Sequence, residues 1–301
     1  MKRLTLPVLF VAGLLWNAVS HATLNVLACE PEWGALVAEL AGDKASVHLA
    51  TTPRQDPHHI EARPSLIARA RRADLLVCNG AELEDGWLPL LQRESGNARI
   101  QRGRPGWFEA AQYVQLIEKP AALDRTLGDV HAAGNPHFHV DPRNLLPVAE
   151  ALAERLSEID AAHAAHYHAR LADFRQRWQM AIARWEQRAA PLKGVPVAVQ
   201  HKNWSYLIRW LGMEMVLDLE PKSGVDPSAA YLAEVVQRLE QTPARMVLRS
   251  NYHSPRPAQW VSQRSGIPAV ELPFTVGASA MAHDLFGLYD DIIERLLEAT
   301  Q

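Results

Sequence analysis

The sequence predicts an α/β protein of two lobes, each a small, mainly parallel sheet flanked by helices, joined by one long rigid helix. Three observations carry this expectation. Short apolar runs alternate with amphipathic segments in the first part of the chain, and again after residue 194. Alternation of that kind builds parallel sheets with helices on their faces. Between the two parts, residues 161–190 contain neither proline nor glycine, and Ala164, Tyr167, Leu171, Phe174, Trp178, Ile182 and Trp185 recur at intervals of three or four. That is the apolar stripe of one helix. At ~1.5 Å per residue it would run ~45 Å, longer than a small domain is wide.

The elements follow in order. Asn25–Cys29 reads as a strand, Glu32–Ala41 as a helix, Val47–Ala50 as a strand, Pro64–Arg72 as a helix and Leu75–Cys78 as a strand. A helix is expected over Glu82–Arg93. The Gly- and Arg-rich stretch from Gly96 to Gly106 reads as surface loop, and Tyr113–Ile117 as one further strand. Leu145–Ile159 forms a helix ahead of the long one. Beyond "PLKG", Val195–Val199, Met215–Leu217, Met246–Arg249 and Ala269–Leu272 read as strands. Trp204–Leu211, Ser228–Gln241, Ala258–Ser265 and Asp284–Ala299 read as the helices between and after them. The expected division is 1–22 signal peptide, 23–160 amino-terminal lobe, 161–190 linking helix and 191–301 carboxy-terminal lobe.

The first segment has a different character. Lys2 and Arg3 precede an apolar run from Leu4 to Val19, and Ser20-His21-Ala22 offers small residues at both recognition positions of a signal peptidase. This reads as a secretory signal, since the run is shorter than the ~20 residues a spanning helix needs. Losing Lys2 and Arg3 moves the formal charge from −3 to −5. Neither that balance nor any basic cluster points to nucleic acid. At 48% hydrophobic and 22% charged residues, the remainder is an ordinary globular chain. A soluble, exported, monomeric protein is expected.

The two cysteines, Cys29 and Cys78, each end an apolar run, "LNVLAC" and "ADLLVC". If those runs are neighbouring parallel strands, the sulfurs can face one another at one sheet edge. A disulfide and two buried thiols both fit that placement. Cys29 lies too far beyond the apolar run to be a lipoprotein cleavage site.

Histidine is the unusual resource, with 13 in the chain. His58 lies in "RQDPHHIEARPS" just beyond the second strand, His137 in "GNPHFHVDPRN", and His201 directly after "VPVAVQ". His58 and His201 thus sit where open α/β sheets place their ligands. Imidazole is the commonest metal ligand, yet long separations such as these carry no local signature of a metal site.

Longer motifs sharpen the reading. "DPHHIEARPSLIARARRADLLVCNGAELEDGWL", "NPHFHVDPRN" and "VQHKNWSYLIRWLG", in that order over essentially the whole mature chain, resemble three motifs of the periplasmic metal-binding receptors of zinc and manganese ABC importers. The resemblance implies metal ligands His58 and His137 from the first lobe and His201 from the second, with the ion in the cleft between. His139 falls where relatives often carry an aromatic residue and is read as packing or as a support behind the ligands. The family's usual fourth ligand, an Asp after a late strand, is replaced here by Leu272 in "AVELPFTVGAS", and Glu271 should point to the opposite face. Asp284, His253, His59, a water or a chloride are the candidates for that position, although Asp284 reads better as the N-cap of the last helix. His163, His166 and His168 read as a solvated helix face, and His131 as a loop contact near the cleft or, as the alternative, a transient metal contact there. The long His-rich insertion of many zinc receptors is missing, which removes any capture role tied to it.

Three neutral imidazoles suit zinc, copper or nickel better than manganese, which prefers oxygen donors. Manganese-binding relatives often place Glu where this chain has His201. The expected function is therefore high-affinity capture of Zn²⁺ and its delivery to an inner-membrane ABC permease with its ATPase. Affinity should fall as pH drops toward the imidazole pKa of ~6.5. A receptor for a small organic solute and a periplasmic zinc metallochaperone are the alternatives. An enzyme is disfavoured: a zinc hydrolase needs a general base beside the bound water, and no Glu or Asp adjoins the three histidines in a recognised catalytic motif such as His-Glu-x-x-His.

Overall fold

The computed structural model describes residues 23–120, 128 and 130–301. The expected signal peptide, 1–22, lies outside the described residues. Two four-stranded parallel sheets make up the framework. The first is ordered β2-β1-β3-β4, from Leu24–Ala28 (β1), Ala45–Leu49 (β2), Leu75–Cys78 (β3) and Trp107–Glu109 (β4). The second is ordered β6-β5-β7-β8, from Pro196–Val199 (β5), Glu214–Asp218 (β6), Met246–Ser250 (β7) and Ala269–Leu272 (β8).

Both faces of each sheet are covered, which is why its strands read as continuous apolar runs. Alternate residues leave opposite faces of a strand. On the inner face, Val26, Ala28, Leu75 and Val77 of the first sheet share one continuous core with Val197, Val199, Met246 and Leu248 of the second. On the outer faces, Leu27, Cys29, Leu76 and Cys78 meet Pro64–Arg72 (α2) and Leu88–Ser95 (α3), while Ala198 and Val247 meet Ala229–Gln241 (α7) and Arg256–Ser265 (α8).

The shared core is organised by the long helix Ala164–Arg188 (α5), 25 residues that bury Tyr167, Leu171, Phe174, Trp178, Ala181 and Trp185. Trp178 stacks on Phe174 and meets Trp185 and Tyr289 edge-on, and its indole N–H donates to Pro142 O at 2.8 Å. Pro31–Ala41 (α1), Leu145–Ile159 (α4), Ser205–Leu211 (α6) and Leu285–Glu298 (α9) complete the central layer. Buried hydrogen bonds also tie the halves together. Tyr206 Oη donates to Asn135 O at 2.8 Å, Thr275 Oγ1 donates to Glu32, and Tyr289 Oη donates to His139 O.

Two expectations need correction. The fourth strand of the first sheet is Trp107–Glu109, registered against β3 from Leu76 to Cys78, and not Tyr113–Ile117. Val114, Leu116 and Ile117 pack on the core but find no strand to pair with. Instead the Ile117 N–H donates to Tyr206 Oη at 3.0 Å and its carbonyl accepts from Asn135 N at 2.8 Å. Helix α3 starts at Leu88 rather than Glu82. Gly80, Ala81 and Glu82 all have positive φ, and that turn brings the Glu84 carboxylate back to accept from Asn79 N at 2.6 Å and Gly80 N at 3.0 Å.

Parallel register sets Ala28 beside Val77, so Cys29 and Cys78 follow side by side, and the two are joined as a disulfide with Cα atoms 4.8 Å apart. Beside it lie two buried carboxyls, Glu30 and Glu84. Burial, Glu84 and Glu32 push Glu30 well above the usual carboxylate range, and burial raises Glu84 from 4.5 to about 8.

Two predictions follow from this packing. Trp178→Ala should cost ~3–5 kcal/mol in urea unfolding, and a loss below ~1 kcal/mol would show that the core closes over the gap. For Glu84, the folded group holds its proton between pH ~4.5 and ~8 while the unfolded one releases it, so stability falls as pH rises through that window. Glu84→Gln should flatten the fall in melting temperature; an unchanged slope would place the pH dependence elsewhere.

Candidate metal centre

Loops leaving the carboxyl ends of both sheets deliver the imidazoles. His58 lies on the loop after β2, His137 on the loop before α4, and His201 two residues past β5. The ring centres of His58 and His137 are 5.4 Å apart, and those of His137 and His201 are 5.6 Å apart. The three residues named from sequence are therefore neighbours. His137 and His201 also line a cleft of ≈ 250 Å³, together with Glu118, His131, Asn135 and Lys202.

Carboxylates fix two of the rings. The Nδ1–H of His58 donates to Asp56 Oδ1 at 2.7 Å, and that of His201 to Glu220 Oε2 at 2.8 Å. With the proton held at Nδ1, Nε2 carries the lone pair that a metal would take. His58 Nε2 and His137 Nδ1 are buried and meet no hydrogen-bond partner among the described residues. Phe274 backs the site, its ring centre 5.5 Å from His137 and 4.6 Å from His139.

Electrostatics differ from ring to ring. Burial, with the neighbouring imidazoles His58 and His201, holds His137 well below the usual histidine range. Burial also works against charge on His201, but the hydrogen bond and charge of Glu220 outweigh it and raise its pKa. For Asp56, burial is overridden by the His58 contact, and its carboxyl falls to about 2.

Other histidines and acids fall as follows. His139 packs: it is buried, its Nε2–H donates to Phe274 O at 3.0 Å and its Nδ1 lies 3.6 Å from Glu32. Asp284 is the N-cap of α9, accepting from Gly287 N at 2.7 Å. Glu271 pairs with Arg249, while Leu272 is buried. His59 is exposed. His163 pairs with Asp160, His166 bonds Ala41 O, and His168 lies 3.6 Å from Glu154. His253 does reach the centre, with its ring 5.4 Å from His201. Its donor atom and those of His201 and Glu220 lie within 4.8 Å of one another; no set that close joins His58, His137 and His201 among the described residues. Burial lowers the His253 pKa to about 3.

Sequence reasoning missed Asp56 and Glu220 as partners of the rings. Asp56 was visible within "DPHH", two residues before His58. Glu220 had no signal, because it reaches His201 from the loop after β6.

The family described as ZnuA, zinc-uptake complex component A, periplasmic, matches residues 26–299. This chain belongs to that family. The receptor is thus a metal-binding, substrate-binding component of an ABC importer rather than an enzyme, and permease and ATPase partners come with that role. It is 23% identical over 286 residues to the manganese ABC transporter substrate-binding lipoprotein PsaA of Streptococcus anginosus, covering 91% of this chain and 90% of the relative. A crystal structure of ZnuA superposes with a TM-score of 0.76 at 20% identity, covering 93% of this chain and 100% of that one. FpvC of Pseudomonas aeruginosa, solved with Mn²⁺, gives 0.74 at 22% identity over 92% and 100%. No helix of the described residues is long and apolar enough to cross a membrane.

The orienting carboxylates are open to direct test. Glu220→Ala and Asp56→Ala should each weaken divalent-metal binding by ~10–100-fold in chelator competition. Unchanged binding in both would show that these carboxylates do not set the rings for a metal.

Proposed function

We propose that this receptor captures Zn²⁺ through His58, His137 and His201 and hands it to an inner-membrane ABC permease. In this reading residues 1–22 direct export and are removed, and the protein acts as a periplasmic monomer. Residues 23–160 and 191–301 act as two lobes on either side of the 161–190 helix. One observation carries the reading: three neighbouring imidazoles from both halves, two of them with the proton held at Nδ1 by a carboxylate. Neutral nitrogen donors favour zinc over manganese.

A metal joining the lobes would favour one arrangement of them, and the permease would read that surface. The shared core and the hydrogen bonds between the halves make a small adjustment more economical than a wide hinge closure. Manganese is the competing cargo, favoured by the name of the streptococcal relative. The donor set argues against it.

The test uses protein beginning at Thr23, stripped with chelator, beside a His58→Ala/His137→Ala/His201→Ala triple variant. One tight equivalent of zinc, lost in the variant and poorly displaced by manganese, is the expected outcome. Stronger binding of manganese than of zinc would overturn the metal assignment, and undiminished binding in the variant would overturn the site.

A further inference from the structure

His253 stands three residues past the end of β7, at the carboxyl edge of the second sheet, and the function proposed above does not use it. Its ring centre is 5.4 Å from that of His201, which lies 5.6 Å from His137, which in turn lies 5.4 Å from His58. Imidazoles on one tetrahedral ion, with metal–nitrogen bonds of ~2.0–2.1 Å, have ring centres ~5 Å apart. The successive spacings here are close to what such an ion requires.

The chemistry of each nitrogen agrees. His253 Nδ1 is buried and meets no hydrogen-bond partner among the described residues. A buried ring nitrogen without a partner is costly unless something takes its lone pair. Glu220, the other donor close to His201, is engaged through one oxygen: Oε2 accepts both the His201 Nδ1–H and Gly224 N–H. Asp56 Oδ1 accepts both the ring and the backbone N–H of His58. Both carboxylates thus orient rings through one oxygen each, and His253 offers a ring nitrogen that is not so engaged.

We propose that His253 is the fourth metal ligand, closing an all-imidazole shell with His58, His137 and His201, and that this shell discriminates against manganese. The proposal rests on the zinc-centre reading above. It gives two ligands from each half, so the ion clasps the halves symmetrically. Four neutral nitrogens offer no anionic oxygen to Mn²⁺, whereas Zn²⁺, Cu²⁺ and Ni²⁺ accept them readily. His131, whose ring centre is 5.4 Å from His58, is the competing imidazole. It lies in the segment that also carries His137, so a shell closed by it would hold three ligands from the first half and one from the second.

The experiment compares the wild-type chain from Thr23 with His253→Ala, His253→Asp and His131→Ala, each stripped of metal and checked for an unchanged apo melting temperature. Zinc and manganese affinities are read by chelator competition, and the geometry by the visible spectrum of the Co²⁺ form. Loss of zinc affinity in His253→Ala beyond the ~10–100-fold expected of an orienting partner, with an altered Co²⁺ spectrum, supports the proposal. So does a narrowing of the zinc-over-manganese preference by ~tenfold or more in His253→Asp, which restores an oxygen donor. Wild-type zinc affinity and an unaltered Co²⁺ spectrum in His253→Ala would overturn it, as would those effects appearing in His131→Ala instead. If the triple variant loses zinc while His253→Ala keeps it, only the fourth ligand falls. If the wild type binds no zinc, the zinc-centre reading falls as well.

Discussion

Two parallel sheets that bury their inner faces in one core are the constraint on which the rest of this molecule depends. A parallel sheet must be covered on both sides, and here the inner cover is common property: α5 with Trp178 and Trp185, α9 with Tyr289, and α1 and α4 around them. A core packed at crystalline density does not let its two sides slide independently. The carboxyl ends of β2, β5 and β7 are therefore held near one another, and the loops that leave them bring His58, His201 and His253 into one neighbourhood with His137. The imidazoles owe their meeting to indoles lying deeper in the core.

A second layer of control is electrostatic. A metal ligand must be neutral and its lone pair must point inward. His137 is kept neutral by burial and by its neighbours, whereas His58 and His201 are oriented by Asp56 and Glu220. Those acids differ in setting. Glu220 is nearly enclosed and raises the proton affinity of its ring, while Asp56 is partly exposed and remains ionised far into acid. The same centre thus joins an imidazole held by an enclosed carboxylate to one held by a partly exposed carboxylate. Further from the cleft, the Glu30 and Glu84 carboxyls show what burial does without a cation: both are driven toward the protonated form beside the Cys29–Cys78 disulfide.

Much of this was legible in the chain. The helix Leu145–Ile159 and the strands Leu75–Cys78 and Ala269–Leu272 fall where periodicity and apolar runs put them, and the stripe from Tyr167 to Trp185 is the buried face of α5. Failures came where local signal is thin or contact outweighs it. Trp107–Glu109 is too short a strand to show a period, and its neighbours are Gly and Arg. Tyr113–Ile117 has the composition of a strand, but its backbone bonds go to Tyr206 and Asn135 instead. The start of α3 moved because Glu84 caps the backbone of Asn79 and Gly80 rather than joining a helix.

By itself the sequence determined the two α/β halves, the helix between them and the three histidines worth watching, because periodicity and motif are properties of neighbours along the chain. Only the tertiary structure decided that Glu220 would hold His201, that His253 would stand beside it and that the two cysteines would be joined. The reason is the same in each case. These relations cross between strands or loops that the shared core brings together, and no spacing along the chain records how a sheet sets one strand's end beside another's.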